Sequence, residues 1–315
     1  MANYTVTGAA GFIGANLVAR LKEQGHWVRA VDVKETPERA HLYGQADEVW
    51  VASDLRDWER AREATEGVDR VYHLAADHGG AGYFYSDADF KAANNNLRID
   101  SNVLQTAVAQ GVDRLFFASS ACTYPVDIQG KDAAPLTEDL LGTGEGEQLY
   151  GMAKRMSTLL MEGSPIDARC GVFHTIYGPT QDHLEPRAKF PTAICRKLIE
   201  NPDRVEVWGD GTQVRTFLFI DDALDRIQKV MEADEYDGPV NIGSDEAVTV
   251  QECAEYAAAA AHARPEWVYT DGPVGVANRA SDTTEFNRRY GKGKLTTARE
   301  GFWRLYQWME TLDLA

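Results

Sequence analysis

The sequence has no apolar run near the length of a membrane span, so no transmembrane helix is expected. Its start shows no signal-peptide pattern, because Tyr4-Thr5-Val6-Thr7 runs directly into a glycine turn. It lacks any Cys-x-x-Cys, and its four cysteines, Cys122, Cys170, Cys195 and Cys253, are scattered. That pattern argues against a disulfide framework and fits free thiols in a reducing, cytoplasmic setting. The seven histidines form no pair of the His-x-x-x-His type, so no metal site is expected. Positive charge is scarce, with 32 Lys and Arg against 49 Asp and Glu, for a net charge of −17. This balance argues against a nucleic-acid surface. It also means that an anionic ligand must be held by local Arg and Lys groups against an unfavourable overall field. There is no internal repeat, low-complexity tract or charged tail.

What is present first is an ordered series of strands and helices. Residues 4–7 read as a strand, and Gly8-Ala9-Ala10-Gly11-Phe12-Ile13-Gly14 follows. An amphipathic helix then runs to about Gln24, with Leu17, Val18 and Leu21 on one face, and Gly25 stops it. Residues 27–31 form a second strand that ends in Asp32. Strand, glycine turn, helix, strand and acid together make a dinucleotide site. Gly8, Gly11 and Gly14 let backbone N–H groups approach a pyrophosphate where the helix opens at Phe12 and Ile13. Asp32 accepts from ribose hydroxyls and repels a 2′-phosphate, which favours NAD over NADP. The Gly-x-x-Gly spacing is that of the short-chain dehydrogenase/reductase type of site.

Residues 48–52 read as a third strand leading to Asp54-Leu55. Asp54 either reaches the adenine amine or caps the helical stretch that starts at Trp58. Residues 68–74 are a fourth strand, and the small pair Ala75-Ala76 after Leu74 suits close passage beside a cofactor. Residues 77–84, rich in glycine and then aromatic, read as a loop over bound substrate. A long helix is expected over residues 90–109, and a buried strand over residues 115–118. Ser119-Ser120-Ala121-Cys122-Thr123-Tyr124-Pro125 therefore stands at a strand's carboxyl end, where α/β sheets place chemistry. Tyr150 and Lys154, four residues apart, share one helix face. Tyr290 and Lys294 share that spacing, but Gly291 and Gly293 between them argue for a loop.

Residues 170–173 are a sixth strand, after which the alternation breaks down. Residues 189–200 look helical after Pro186. Residues 205–209 and 216–220 read as short strands flanking a turn pair, Asp210-Gly211. Helices are expected over residues 222–233, 249–263 and 299–311, and a strand over residues 239–243. The fold class is α/β, a Rossmann-type doubly wound parallel sheet with a smaller C-terminal lobe. Residues 1–175 are expected to form the NAD-binding domain, with some later elements returning to it, and residues 176–315 mainly the substrate-binding lobe.

Over essentially its whole length the chain resembles the extended short-chain dehydrogenase/reductases that act on nucleotide sugars. Among these it is most similar to the branch that inverts C3 and C5 of GDP-mannose. The stretches that carry the resemblance are Leu74-Ala75-Ala76-Asp77-His78-Gly79-Gly80-Ala81-Gly82, the serine–cysteine stretch above, Phe173-His174-Thr175-Ile176-Tyr177-Gly178-Pro179 and Arg187-Ala188-Lys189-Phe190-Pro191. Residues 208–215, 241–246 and 278–282 add to it.

The resemblance implies transient oxidation of C4 by NAD, which makes the C–H bonds at C3 and C5 removable. Tyr150 would take the C4 hydroxyl proton, with Ser120 on the same oxygen. Lys154 would lower the phenol's pKa by its charge and bind the nicotinamide ribose. Cys122 and Lys189 match the family's acid/base pair, and are assigned jointly. Gly80, Thr175, Lys197, Gln213, Arg215 and Arg279 match substrate positions, with the arginines suited to phosphate. The product would be GDP-L-galactose, or GDP-L-gulose, and the protein a homodimer through its two long helices. Departures are Thr175 for asparagine, Ala188 for glutamate, and His78 and Ala81 for methionines. They bear on the exact sugar and base more than on the reaction type. Other readings are a 4-epimerase, a 4,6-dehydratase or a non-catalytic NAD-binding protein. A 4-epimerase would leave Cys122 and Lys189 unexplained. A dehydratase needs an acid near Cys122, and Ala121-Cys122-Thr123 has none.

Overall fold

Apolar runs such as Leu115-Phe116-Phe117 need cover on both faces, and a parallel sheet flanked by helices provides it. The computed structural model of the chain describes residues 2–184, 187–272 and 274–312. Its strands are, in chain order, β1 (Asn3–Thr7), β2 (Trp27–Val31), β3 (Glu48–Trp50), β4 (Arg70–His73), β5 (Arg114–Ser120), β6 (Asp167–Phe173), β7 (Thr175–Tyr177), β8 (Arg204–Trp208), β9 (Val214–Phe219), β10 (Val240–Ile242), β11 (Ala247–Thr249), β12 (Glu266–Thr270) and β13 (Asn278–Arg279). Seven of them form the main sheet in the order β10-β6-β5-β4-β1-β2-β3. Every neighbouring pair in it is parallel. This is the doubly wound Rossmann arrangement. Strand order reverses between β1 and β4, so the crevice at their carboxyl ends is where a ligand fits.

The later chain divides itself between that sheet and two smaller ones. The Pro239–Gly243 region supplies β10, which pairs with β6. β9 is the centre of a four-stranded sheet, bonded to β7, β11 and β13. β8 pairs in parallel with β12. The two strands around Asp210-Gly211 therefore form no hairpin, contrary to the turn-pair expectation. The turn itself exists, with Gly209 and Gly211 both at φ +76°, but β9 finds its partners elsewhere. Other differences are local. The helix Trp58–Thr65 is capped by Asp57, whose carboxylate accepts from Glu59 and Arg60 N–H groups, so Asp54 is not the cap. Part of the glycine-rich loop is a helical turn, Ala81–Phe84. The expected helix after Lys189 is Phe190–Glu200, with Lys189 as its N-cap; Pro186 lies outside the described residues. Tyr290 ends its helix against Gly291. Among the described residues no helix is long and apolar enough to cross a membrane.

Arg169 joins the sheet to a helix of the later chain. Its side chain is 1% exposed. Nη1 donates to the carbonyls of Val230, Met231 and Ala233 at 2.7, 3.4 and 2.7 Å, at the end of the helix Ile220–Glu232. Asp167 takes its other nitrogens at 2.9 and 2.8 Å. These carbonyls belong to the last turn, which has no intrahelical donor. Arg169→Met keeps bulk but removes the donors, and is expected to cost ~3 kcal/mol in urea unfolding. A change below ~0.5 kcal/mol would show that water satisfies these groups instead.

Candidate active site

The carboxyl ends of the central strands open onto one cleft of about 430 Å³. Gly8, Gly11, Phe12, Ile13 and Gly14 line one end of it, with Leu74 and Ala76. Gly8 has φ +70°, and a Cβ there would lie 2.8 Å from the Ala75 nitrogen. A Cβ on Gly14 would lie 2.2 Å from the Gly8 carbonyl oxygen. Only hydrogen fits at either point, so the turn, the helix and β4 close up on each other. No side chain caps the helix Phe12–Glu23, which leaves its first N–H groups for a ligand's phosphate oxygens. Asp32 is held at the end of β2 by N–H groups of Ala10 and Lys34 at 2.9 and 3.2 Å, and burial raises its carboxyl. These residues fit a dinucleotide. Asp32, Asp54, Leu55 and Ala75 do not themselves line the cleft. Asp54 is paired with Arg56, and the Leu55 side chain is packed in the core beside Val31 and Val71. The Leu55 side chain is thus a core group.

Ser120 ends β5, and its Oγ accepts the Cys122 N–H at 3.2 Å. Tyr150 enters on the helix Gln148–Glu162, whose Leu149 and Tyr150 N–H groups bond the Asp89 carboxylate at 2.9 and 3.0 Å. Its ring stacks on Phe84 at 4.2 Å. Lys154 follows one turn later, donates to Asp100 at 3.5 Å, and sits over the Phe117 ring at 4.5 Å. The expected lowering of the phenol by Lys154 is not the net effect. Burial, aided by Cys122 and Asp100, raises Tyr150, and a Ser120 hydrogen bond only partly offsets it. The ammonium is already paired with Asp100.

Cys122 is half-buried between charges. Its thiol donates to Glu147 Oε2 at 3.4 Å, and Arg279 Nη1 reaches the sulfur at 3.5 Å and the same carboxylate oxygen at 2.8 Å. Tyr85 donates to the other oxygen at 2.7 Å. Burial pushes the thiol up, against the Arg279 charge. Glu147 is desolvated too, but Arg279 and its hydrogen bonds bring its carboxyl below the usual range. Lys189 lines the same cleft, and burial lowers its ammonium while Cys122 and Asp182 resist. Gly80 passes directly under the Ala188 carbonyl, where a Cβ would be 2.6 Å away. Arg187 Nη1 ties the same two segments by donating to the His78 carbonyl at 2.6 Å.

Thr175, Lys197, Gln213 and Arg215 line the remainder. Lys197 Nζ bonds the Glu206 carbonyl and carboxylate, both at 3.1 Å, and Gln213 donates to Asp210 at 3.0 Å. Arg215 donates to the carbonyls of Val214, Val274 and Val276 at 2.7, 3.1 and 2.7 Å. Burial, then the Arg279 charge, pulls it down to about 10. Arg279 Nε donates to Gln129 at 2.7 Å. Both terminal nitrogens of Arg215 are taken by carbonyls, whereas Arg279, which stands at the thiol, keeps Nη2 buried without a partner among the described residues.

Sequence reasoning missed Glu147, Tyr85, Asp100 and His73. Glu147 had a signal, since it precedes Tyr150 at a helix start, where carboxylates are favoured. Asp100 sits in mid-helix and His73 at the end of a strand, with no local pattern to mark either.

The model of the NAD dependent epimerase/dehydratase family matches residues 4–243. A GDP-mannose 3,5-epimerase 1 of Oryza sativa subsp. japonica is 36% identical over 310 residues, 97% of this chain and 81% of that protein. A GDP-mannose 3,5-epimerase of Arabidopsis thaliana is 35% identical over 319 residues, with the same 97% and 81% coverage. Among solved structures, a UDP-glucose 4-epimerase of Thermotoga maritima superposes with a TM-score of 0.86 at 22% identity, covering 98% of each chain. A UDP-glucose 4-epimerase of Thermus thermophilus, in complex with NAD, gives 0.82 at 20% identity over 98% and 99%. These two show likeness of fold.

Glu147 raises the Cys122 thiol and Arg279 lowers it. Glu147→Gln removes the first influence only, so the thiol should ionise at lower pH. Iodoacetamide should label Cys122 at neutral pH roughly tenfold faster than in the unaltered protein. Peptide mapping reads this, and unchanged labelling would contradict the thiol–carboxylate contact.

Proposed function

The chain belongs to the NAD dependent epimerase/dehydratase family, and from that premise we propose that it is an isomerase inverting C3 and C5 of GDP-mannose. The observation that carries this reading is that Cys122 and Lys189, far apart in sequence, line one cleft with Ser120, Tyr150 and Lys154. The two relatives described above, matched along nearly the whole chain, support the sugar and the nucleotide.

Gly8, Gly11, Phe12, Ile13, Gly14 and Asp32 would hold NAD, with Leu74, Ala75 and Ala76 beside it. When bound, it supplies reversible oxidation at C4, which acidifies the C–H bonds at C3 and C5. Tyr150 takes the C4 hydroxyl proton, and Ser120 hydrogen-bonds the same oxygen. Because burial raises the phenol, that transfer leans on the Lys154 charge. Cys122 and Lys189 then act on the activated carbons, one removing a proton and the other returning one to the opposite face. Burial holds the thiol protonated and lowers the ammonium, so Lys189 is the member of the pair brought nearer a protonation balance. Arg279, 3.5 Å from the sulfur, stabilises a thiolate when Cys122 is the base. Gly80, Thr175, Lys197, Gln213 and Arg215 would surround the sugar and diphosphate.

The dehydratase reading gains an acid in space that the local sequence lacks: Glu147 stands beside Cys122. A dehydratase needs a protonated group to expel the C6 hydroxyl, and Arg279 holds Glu147 ionised. The epimerase reading is preferred on that charge state. All four cysteines are free thiols, which supports a cytoplasmic setting.

Leu97, Leu149, Met152, Met156 and Leu160 are exposed on the helices Ala88–Gln110 and Gln148–Glu162, and Phe90 is 70% exposed. A second copy of the chain, packed through four helices, would cover them. The Met152→Glu, Met156→Glu double variant should elute as a monomer at micromolar concentration, where the unaltered chain elutes as a dimer. Equal elution volumes would remove this interface.

Incubation with GDP-mannose in deuterated water should place deuterium at C3 and C5, read by NMR. Loss of water with solvent label at C5 and none at C3 or C6, the C6 hydrogen having come from C4 through the cofactor, would make the chain a dehydratase. Inversion at C4 without solvent label would make it a 4-epimerase. Cys122→Ala should lower exchange at least ~10³-fold while NAD stays bound.

A further inference from the structure

Behind the cleft a chain of buried polar groups leads to Lys154, and its other three members are used by none of the steps above. Thr7, His73, Asp100 and Lys154 are 0%, 0%, 1% and 2% exposed. Thr7 Oγ1 accepts the N–H groups of Leu74 and Ala75, both at 3.2 Å, and lies 2.8 Å from His73 Nδ1. Its two lone pairs are thus occupied, so its single proton goes to Nδ1. His73 therefore carries its proton on Nε2, which donates to Asp100 Oδ1 at 3.0 Å. Asp100 Oδ2 meets Lys154 Nζ at 3.5 Å. Lys154 and then His73 counter the desolvation, and Asp100 is ionised.

We propose that Asp100 is a positioning residue: with His73 and Thr7 fixing it, it sets where the Lys154 ammonium stands and how much of its charge Tyr150 feels. This rests on the reading of Tyr150 and Lys154 as the pair that works at C4. A bare buried ammonium is costly, and a carboxylate beside it keeps it charged and in place. The same carboxylate offsets that charge at the phenol. The groups facing Tyr150 and Lys154 are Cys122 after β5, Asp89 and Asp100 on the long helix, His73 of β4 behind Asp100, and His78 of the glycine loop. Of these only Asp100 bonds Lys154. The chain of bonds also reaches Ala75, which abuts Gly8, so the ammonium's position is tied to the cofactor cradle.

Asp100→Asn keeps the shape and removes one negative charge. Loss of that charge makes the Tyr150–Lys154 pair give up a proton more readily, whichever member loses it. The limb of the pH profile on which C3/C5 exchange rises, followed as kcat/KM, should move to lower pH by about one unit. A uniform loss of rate with the limb in place would overturn the proposal. Asp100→Glu keeps the charge but displaces it, and so covers the case in which the first variant does not fold. There the limb should stay, while the dissociation constant for NAD rises roughly tenfold. Unaltered NAD affinity would overturn the positioning role. Tyr150→Phe separates the levels: retained exchange rejects the underlying reading, whereas lost exchange beside an unmoved Asp100→Asn limb rejects the Asp100 role alone.

Discussion

Removal of water is the constraint on which the cleft's chemistry depends. Burial drives each ionisable group toward its neutral form unless a partner holds the charge. Tyr150 and Cys122 rise and Lys189 falls, with burial the largest cause in each. Asp100 and Glu147 are as desolvated in kind, yet both fall, because Lys154 and Arg279 stand beside them. The cleft thus separates two classes. Groups proposed to move protons are driven toward their neutral forms by burial. Groups that hold a shape are paired and stay charged. The lysines and arginines divide in the same way, with Lys189 in the first class and Arg279 in the second.

That division explains where sequence reasoning reached and where it stopped. The strand–turn–helix series up to β6 is legible because parallel strands are continuous apolar runs and because the glycine turn obeys local sterics. Tyr150 and Lys154 are legible because helical spacing alone puts them on one face. Asp210-Gly211 shows the limit. A turn pair specifies a reversal of the chain, but pairing belongs to whichever edges are free, and β9 is claimed by β7, β11 and β13. Leu55 shows another: it follows an acid paired at the surface with Arg56, and nothing in that local pattern marks its own side chain as a core group.

The site is less legible than the fold for a physical reason. Counter-ions are chosen by proximity in space. Asp100 and Lys154 are 54 residues apart, and Glu147 and Arg279 are 132 apart. Neither pairing has a periodicity to betray it. An electrostatic expectation made from one partner alone then has the wrong net sign, as it did for Tyr150, where a lysine one turn away counts for less than burial. The arginines show the same effect. Arg215 and Arg279 read as open forks for phosphate, but backbone carbonyls occupy both ends of the first, and Gln129 and Glu147 take two of the three nitrogens of the second.

The two halves of the proposed chemistry meet in a single short turn. Ser120 Oγ accepts the Cys122 N–H, and the Cys122 carbonyl in turn accepts the Glu147 N–H at 2.8 Å. Ser120, proposed for the C4 oxygen, Cys122, proposed for C3 and C5, and Glu147, the carboxylate at the thiol, therefore share one set of hydrogen bonds. Tyr150 begins three residues after Glu147 on the helix that this set anchors. Displacing the thiol without displacing the phenol would require breaking that turn. A reaction in which one carbon is oxidised while its neighbours exchange protons needs such fixed spacing, because the sugar must present all three carbons without leaving the cleft. The close register of Ser120, Cys122, Glu147 and Tyr150 meets that demand with one loop and one helix start, which leaves only Lys189 to be brought in from the later chain.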